Sequence, residues 1–385
     1  MSLSRPLVRL LVLGASAALT MLSCARRPRG GEAYTDAGNA LARIGEYSEA
    51  CEQYAHAVLL DPRDAKAYHD WGFALGKLEQ YAEACRKYAK ALEINPRYAE
   101  AYSDWGNALA AMGEYAAACK KYARAVAMNP TDAKTCRDWG LALGKLGRHA
   151  EACEQFANAA EINPRFAEAY ADWGAALAKL GRYADACAQY ARAVEIRPRY
   201  AEAHAQWGAA LHRMGRYAEA REQCARAVAS DPWHAPAYST WGNALFRLGE
   251  PDEACLKYAK AVEVAPRDAK AYWGWGAALA ETSQLAGACE KFARAVECDP
   301  HCAGAYYNWG VALARLGKPA EACGKYARAL EINPQDADAY WGWGAALAAM
   351  GKAAEASEKL RKAAEMKPDL KPLIEKTQTQ PLKTE

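Results

Sequence analysis

Phenylalanine is scarce in this 385-residue chain: 5 Phe stand against 22 Tyr and 12 Trp, a marked aromatic skew. An excess of one charge sign is missing too. Forty-nine Lys+Arg face 46 Asp+Glu, leaving +3, which excludes a nucleic-acid coat or a charged tail. Apolar runs of membrane-spanning length are absent, the longest being the 13 residues from Leu10 to Leu22. A multi-span membrane protein is thereby excluded. Histidine is limited to seven residues, none set with Ser or Cys in a catalytic arrangement. Cysteine, at 13, is far too dilute for a disulfide-dense small scaffold. Against these lacks, a hydrophobic content of 52% is ample for a core and rules out a disordered chain.

The first 31 residues hold no acid and five Arg. Arg5 and Arg9 precede the apolar run, which ends at Ser23-Cys24-Ala25, an arrangement that suits a secretory signal. The stretch Thr20-Met21-Leu22-Ser23-Cys24 resembles a bacterial lipobox, with Leu22 where a smaller residue is commoner. That resemblance implies lipidation at Cys24 and an exported, membrane-anchored lipoprotein of the cell envelope. Cleavage after Ala25, an uncleaved anchor and a mitochondrial-type presequence are the alternatives.

The rest is periodic. Trp71, Trp105, Trp139, Trp173, Trp207, Trp241, Trp275, Trp309 and Trp343 recur every 34 residues, and Ala37 stands one period earlier. Each is followed by Gly, from Gly38 to Gly344. Thirteen residues after each comes Ala, from Ala50 to Ala356, and twelve beyond that Pro, from Pro62 to Pro368. Such regularity demands a linear stack of one supersecondary unit. Within a unit, Tyr102, Trp105, Ala108, Leu109 and Met112 share one helical face, and Gly113 ends that helix. Tyr115, Ala118, Cys119, Tyr122, Ala125 and Val126 share the face of a second, which Asn129-Pro130 terminates. The expectation is ten pairs of antiparallel helices over residues 32–368, with the repeated Gly letting paired backbones approach closely. Residues 369–385 read as a short partial cap and polar tail. They leave an apolar end on the last pair, open to end-to-end self-association.

Tyr102-x-x-Trp105-Gly106-x-x-Leu109 with Gly113, Tyr115, Ala118, Tyr122, Ala125 and Pro130 resembles the tetratricopeptide repeat. Trp holds a position where that family usually has Leu, and Tyr one where Trp is typical. The resemblance implies an all-α, right-handed superhelical α-solenoid whose first helices line a concave groove.

Cys51, Cys85, Cys119, Cys153, Cys187, Cys255, Cys289 and Cys323 share one repeat position. Adjacent copies should lie about 10 Å apart, beyond disulfide reach, so they read as small buried hydrophobes. Cys298 and Cys302 flank a turn with His301, where a disulfide, a metal ligand pair or two plain thiols all fit. A zinc site wants four ligands, and no second pair is near in sequence. No cofactor, metal site or catalytic group is expected.

Candidate binding residues come from the first helices. The residue before each Trp position is Asp in five units, Asp36, Asp70, Asp104, Asp138 and Asp172. Lys77, Lys145, Lys179, Arg213 and Arg247 stand one or two turns along as potential neutralisers. Two residues before the Trp position, polar and small residues give way to Trp273, Tyr307 and Trp341. Asn39, Asn107 and Asn243, two after it, could pair with a peptide backbone. Some members of the resembled family clamp a terminal carboxylate with cations and amides; Asp stands here instead, so such a clamp is not expected. The reading is a non-catalytic scaffold that binds other proteins through peptide segments carrying basic and apolar groups, with no nucleic-acid partner and with membrane contact through the amino-terminal segment. The alternatives are an accessory subunit of an envelope polysaccharide or peptidoglycan enzyme, and carbohydrate or small-ligand binding on the aromatic groove.

Overall fold

The computed structural model describes residues 30–370, so the leader residues before Gly30, Cys24 among them, and the tail beyond Leu370 lie outside the described residues. Contacts divide the chain into two compact units, residues 1–164 and 165–385. The first holds α1 (Gly30–Arg43), α2 (Tyr47–Leu60), α3 (Ala65–Lys77), α4 (Tyr81–Ile94), α5 (Ala99–Ala111), α6 (Tyr115–Met128), α7 (Ala133–Lys145) and α8 (His149–Ile162). The second holds α9 (Ala167–Lys179), α10 (Tyr183–Ile196), α11 (Ala201–Arg213), α12 (Tyr217–Ser230), α13 (Ala235–Arg247) and α14 (Pro251–Val264). It continues with α15 (Ala269–Glu281), α16 (Leu285–Cys298), α17 (Ala303–Arg315), α18 (Pro319–Ile332), α19 (Ala337–Ala349) and α20 (Ala353–Met366), and a 3-10 turn at Pro368–Leu370. No strand occurs among the described residues. Within each unit every odd-numbered helix packs on the even one after it, and every even helix on the next odd one. The all-α, tandem-hairpin architecture expected from the period is what each unit shows.

Local chemistry sets each boundary. At the end of α5 the Gly113 N–H donates to Ala110 and the Glu114 N–H to Leu109, while Gly113 takes φ +80°. This is the paired-bond cap that glycine favours. Glu79 and Ser283 occupy the same position in their repeats with φ near +60°, where a side chain is strained. Glu79→Gly is therefore expected to raise stability by about 1 kcal/mol, read as a higher urea midpoint. An unchanged or lower midpoint would contradict it. Helix starts are capped where Asp is present: Asp64 accepts from the Ala67 N–H, and Asp132 from those of Lys134 and Thr135.

The glycine after the Trp position makes room for a side chain of the second helix, an aromatic ring in most described repeats, Cys224 beside Gly208 and Leu360 beside Gly344. A Cβ on Gly106 would sit 2.5 Å from Cε1 of Tyr122, and one on Gly310 2.7 Å from Cε1 of Tyr326. In those repeats the second helix sets its ring against the bare backbone of the first. Those rings and the Ala residues beside them are buried: Ala118, Tyr122 and Ala125 in α6, Ala322, Tyr326 and Ala329 in α18.

The Trp residues form the joints between hairpins. Trp105 and Cys85 of the preceding hairpin pack into one cluster, and the Trp105 indole N–H is buried there without a hydrogen-bond partner. Lys121 of its own hairpin covers the ring face at 3.2 Å from the centroid, a cation–π contact. The same trio recurs as Cys51, Trp71 and Lys87, and in the second unit as Cys289, Trp309 and Lys325. Burial lowers the pKa of Lys87, Lys121 and Lys325, and raises those of the thiols, that of Cys255 to about 11. These thiols stay protonated at neutral pH and serve as packing. In the last hairpin, where no described Trp follows, the position is Ser357.

The outer helix α20 carries Glu355, Glu358, Lys359, Arg361, Lys362 and Glu365, joined in ion pairs along its exposed side. All twelve described cysteines are free, including Cys298, whose Sγ lies 3.9 Å from the Pro266 carbonyl, and Cys302.

Candidate functional site

The candidate groove residues lie on the odd helices, and the structure places them unequally. In the first unit the acidic row is partly neutralised from within. His69 is 8% exposed and lies between two of its members. Its Nδ1 is 2.9 Å from Asp70 Oδ1 and its Nε2 3.0 Å from Asp104 Oδ2. The Tyr98 hydroxyl lies 3.2 Å from Nδ1. Burial alone would lower the His69 pKa; the two carboxylates outweigh it and raise it to about 9. The imidazolium therefore donates both N–H groups and cancels part of the row's charge. Lys66 adds a pair to Asp70 at 3.5 Å. Asp36 is exposed, and burial raises the pKa of Asp138, with Lys134 and Arg137 opposing. Asp172 belongs to the second unit.

Two of the five side chains expected to neutralise the row lie against aromatic rings instead. Lys77 sits over the Phe73 ring at 5.1 Å and Arg247 over Tyr217 at 4.7 Å. His69 had a signal in the sequence, since it precedes Asp70 directly and Asp104 by one repeat plus one. Only the packing of α3 on α5 shows that both carboxylates reach the same ring.

The amide residues are also committed. Asn39, Asn107 and Asn243 accept hydrogen bonds from the Tyr54, Tyr122 and Tyr258 hydroxyls at 2.8, 2.8 and 2.7 Å. Asn107 Nδ2 in turn donates to Asp104 at 3.3 Å. Their carbonyl oxygens thus anchor the buried tyrosines. Gln206 takes over this acceptor role for Tyr190 at 2.9 Å.

The aromatic row of the second unit is uneven as well. Trp273 on α15 is 37% exposed, and its ring lies over Gly304 at the start of α17, where a Cβ would come within 3.0 Å. Tyr307 is half-buried, its ring 6.0 Å from that of Tyr326, and burial with Asp338 and Asp336 raises its pKa. Trp341 is not an exposed ring: it packs on Leu360 and Ala363, and its indole N–H is buried without a partner. Beside the two Trp residues, Gly274 and Gly342 lie against the Tyr258 and Tyr326 rings, both of them buried. Trp273 is therefore the open apolar shelf of this row.

No group of three or more His, Cys, Asp or Glu able to hold a metal lies among the described residues, and no described helix is long and apolar enough to cross a membrane.

Family models described as "Tetratricopeptide repeat" match residues 31–64, 65–98, 99–132, 239–303 and 303–336, and one described as "TPR repeat" matches 174–215. No curated protein matches the chain. Among solved structures, the chain is similar to YrrB, described as "a TPR protein with an unusual peptide-binding site", at 28% identity over 49% of this chain and 96% of that one, with a TM-score of 0.42. MamA from Desulfovibrio magneticus RS-1 aligns at 22% identity over 44% and 96%, with a TM-score of 0.41. The APC/C hetero-tetramer Cut9–Hcn1 aligns at 15% identity over 93% of this chain and 81% of that one, with a TM-score of 0.51, a likeness of fold.

Proposed function

Because the chain belongs to the tetratricopeptide repeat family, we propose that it is a non-catalytic protein-interaction scaffold whose odd helices hold extended segments of other proteins. Repeats of this kind expose a long surface built from equivalent positions. The observation that carries the reading is Trp273. An exposed Trp backed by Gly304 is costly in water and has the character of a binding hot spot. It favours partner segments with large apolar side chains. The acidic residues of the first unit, less the share cancelled by His69 and Lys66, favour cationic segments over acidic ones.

Trp273→Ala is expected to weaken binding of a purified partner about tenfold or more while leaving the helical circular dichroism unchanged. Trp273 suits this test better than Trp341, whose removal would hollow out the last hairpin. Equal partner affinity in the variant, or binding of an oligosaccharide without any protein partner, would sink the reading. The proposal extends to the cell envelope through the segment ending at Cys24. A mature chain that retains Met1 and a free Cys24 thiol by mass spectrometry would remove that extension.

A further inference from the structure

One repeat breaks the pattern at several positions that lie together. Three residues before the Trp position, most repeats carry Tyr; the repeat of α11 and α12 has His204. Toward the end of α12, Ala229 stands where seven repeats have Glu, and Ser230 where most have Ile, Leu, Met or Val. What the usual residues do is visible in the repeat of α15 and α16. There the Tyr272 ring packs with Val262 and Cys298, and the Arg294 guanidinium lies 5.8 Å from the ring centre. The counterparts of Val262, Cys298 and Arg294 in the α11–α12 repeat are Val194, Ser230 and Arg226.

Those residues line an open surface hollow of about 250 Å³ together with Pro198, His204 and Ala229. His204 does not fill it. The imidazole is 3% exposed and held at the hollow's wall, with Nδ1 2.9 Å from Gln223 Oε1 and Nε2 3.1 Å from the Pro198 carbonyl. Arg226 leans on Glu222 at the rim, at 2.6 Å, and Ser230 Oγ donates to the Arg226 carbonyl at 3.0 Å. Three residues past Ser230, in the turn to α13, stands Trp233, 74% exposed, where five other repeats have Arg. An open hollow and a bare indole thus belong to the same turn region of one repeat, and no other repeat has Trp at this turn position.

We infer that this hollow is a second binding site, which takes the phenol ring of a tyrosine presented by a partner polypeptide. The fold supplies the argument for that chemistry. At Tyr272 the same scaffold receives a phenol between an aliphatic side chain and an arginine, and in the α11–α12 repeat both walls remain while the phenol is absent. The ring would stack on Val194 and Pro198, its hydroxyl would meet Arg226 without displacing Glu222 as an anion would, and Trp233 would cover the adjoining backbone. The site is independent of the Trp273 shelf and does not rest on it.

The test uses the full chain with N-acetyl-tyrosinamide and N-acetyl-leucinamide as probes, followed by ligand-observed NMR. The tyrosine probe should bind with Kd on the order of 1 mM, as a fragment of this size would, and about tenfold tighter than the leucine probe. The double substitution His204→Tyr plus Ser230→Ile restores the usual residues, so it should abolish binding while keeping or raising the melting temperature. Should that variant fail to fold, Ser230→Ile alone blocks the hollow and should weaken the tyrosine probe by at least about tenfold. Equal binding of the two probes, no detectable binding by the wild-type chain, or undiminished binding by a folded, filled variant would overturn the inference.

Discussion

Gly106→Ala is expected to destabilise the chain by about 3 kcal/mol, although alanine is the better helix former by about 0.5–1 kcal/mol. The new methyl would meet three atoms of the Tyr122 ring, at 2.5, 2.7 and 2.9 Å. The ring has no easy escape, because its hydroxyl is bonded to Asn107 at 2.8 Å and its body is buried within the hairpin. Either the phenol leaves its bond or α5 and α6 move apart. In a stack whose hairpins touch only their neighbours, the loss should be felt mainly in α5 and α6 and the helices beside them. Hydrogen exchange should show it as faster exchange there. A double-mutant cycle adds the decisive comparison. Tyr122→Ala alone should cost about 3–5 kcal/mol, but the pair Gly106→Ala/Tyr122→Ala should cost well under the sum, since the clash disappears with the ring. Additive losses, or a stabilised single variant, would show that helix propensity governs this position instead.

The second large effect is pH-dependent and centres on His69. Its folded pKa, about 9, lies above the unfolded value of 6.5. Its charge therefore stabilises the fold fully below pH 6.5, and that contribution is lost as pH rises through 9. The raised pKa corresponds to about 3 kcal/mol. His69→Ala should thus be destabilised at pH 6 by at least that order, because Asp70 and Asp104 are left facing each other without the imidazolium. The gap to wild type should narrow when both are measured at pH 10. His69→Gln should keep some of the hydrogen bonding but none of the pH dependence. A gap of constant size from pH 6 to pH 10 would mean that His69 contributes packing alone.

Both outcomes bear on function. A protonated His69 makes the first unit's groove less acidic than its four successive Asp residues suggest, so affinity for cationic segments should be weaker than a count of carboxylates implies. The aromatic candidates are reduced in the same way. Trp273, Tyr307 and Trp341 share one repeat position, yet Trp341 is tied into the last hairpin while Trp273 stays open. Equivalent positions in a repeat are equivalent only where their neighbours are.

The amino-acid sequence alone determined the architecture of the chain. A 34-residue period, helical spacing within it, Gly at one boundary and Asn-Pro or its like at the other leave little freedom except a row of helical hairpins. Only the tertiary structure decided what each repeated residue is for. The glycine after Trp answers to a ring 16 residues later, the cysteine ladder to indoles of the following hairpin, and the groove asparagines to tyrosine hydroxyls. His69 joins Asp70 to an acid 35 residues away, and the hollow beside His204 appears where several small departures meet in space. The physical reason is the same throughout. Helix formation is governed by neighbours within about four residues and so is written in local spacing, whereas burial, charge pairing and free volume depend on side chains that meet only after the hairpins stack.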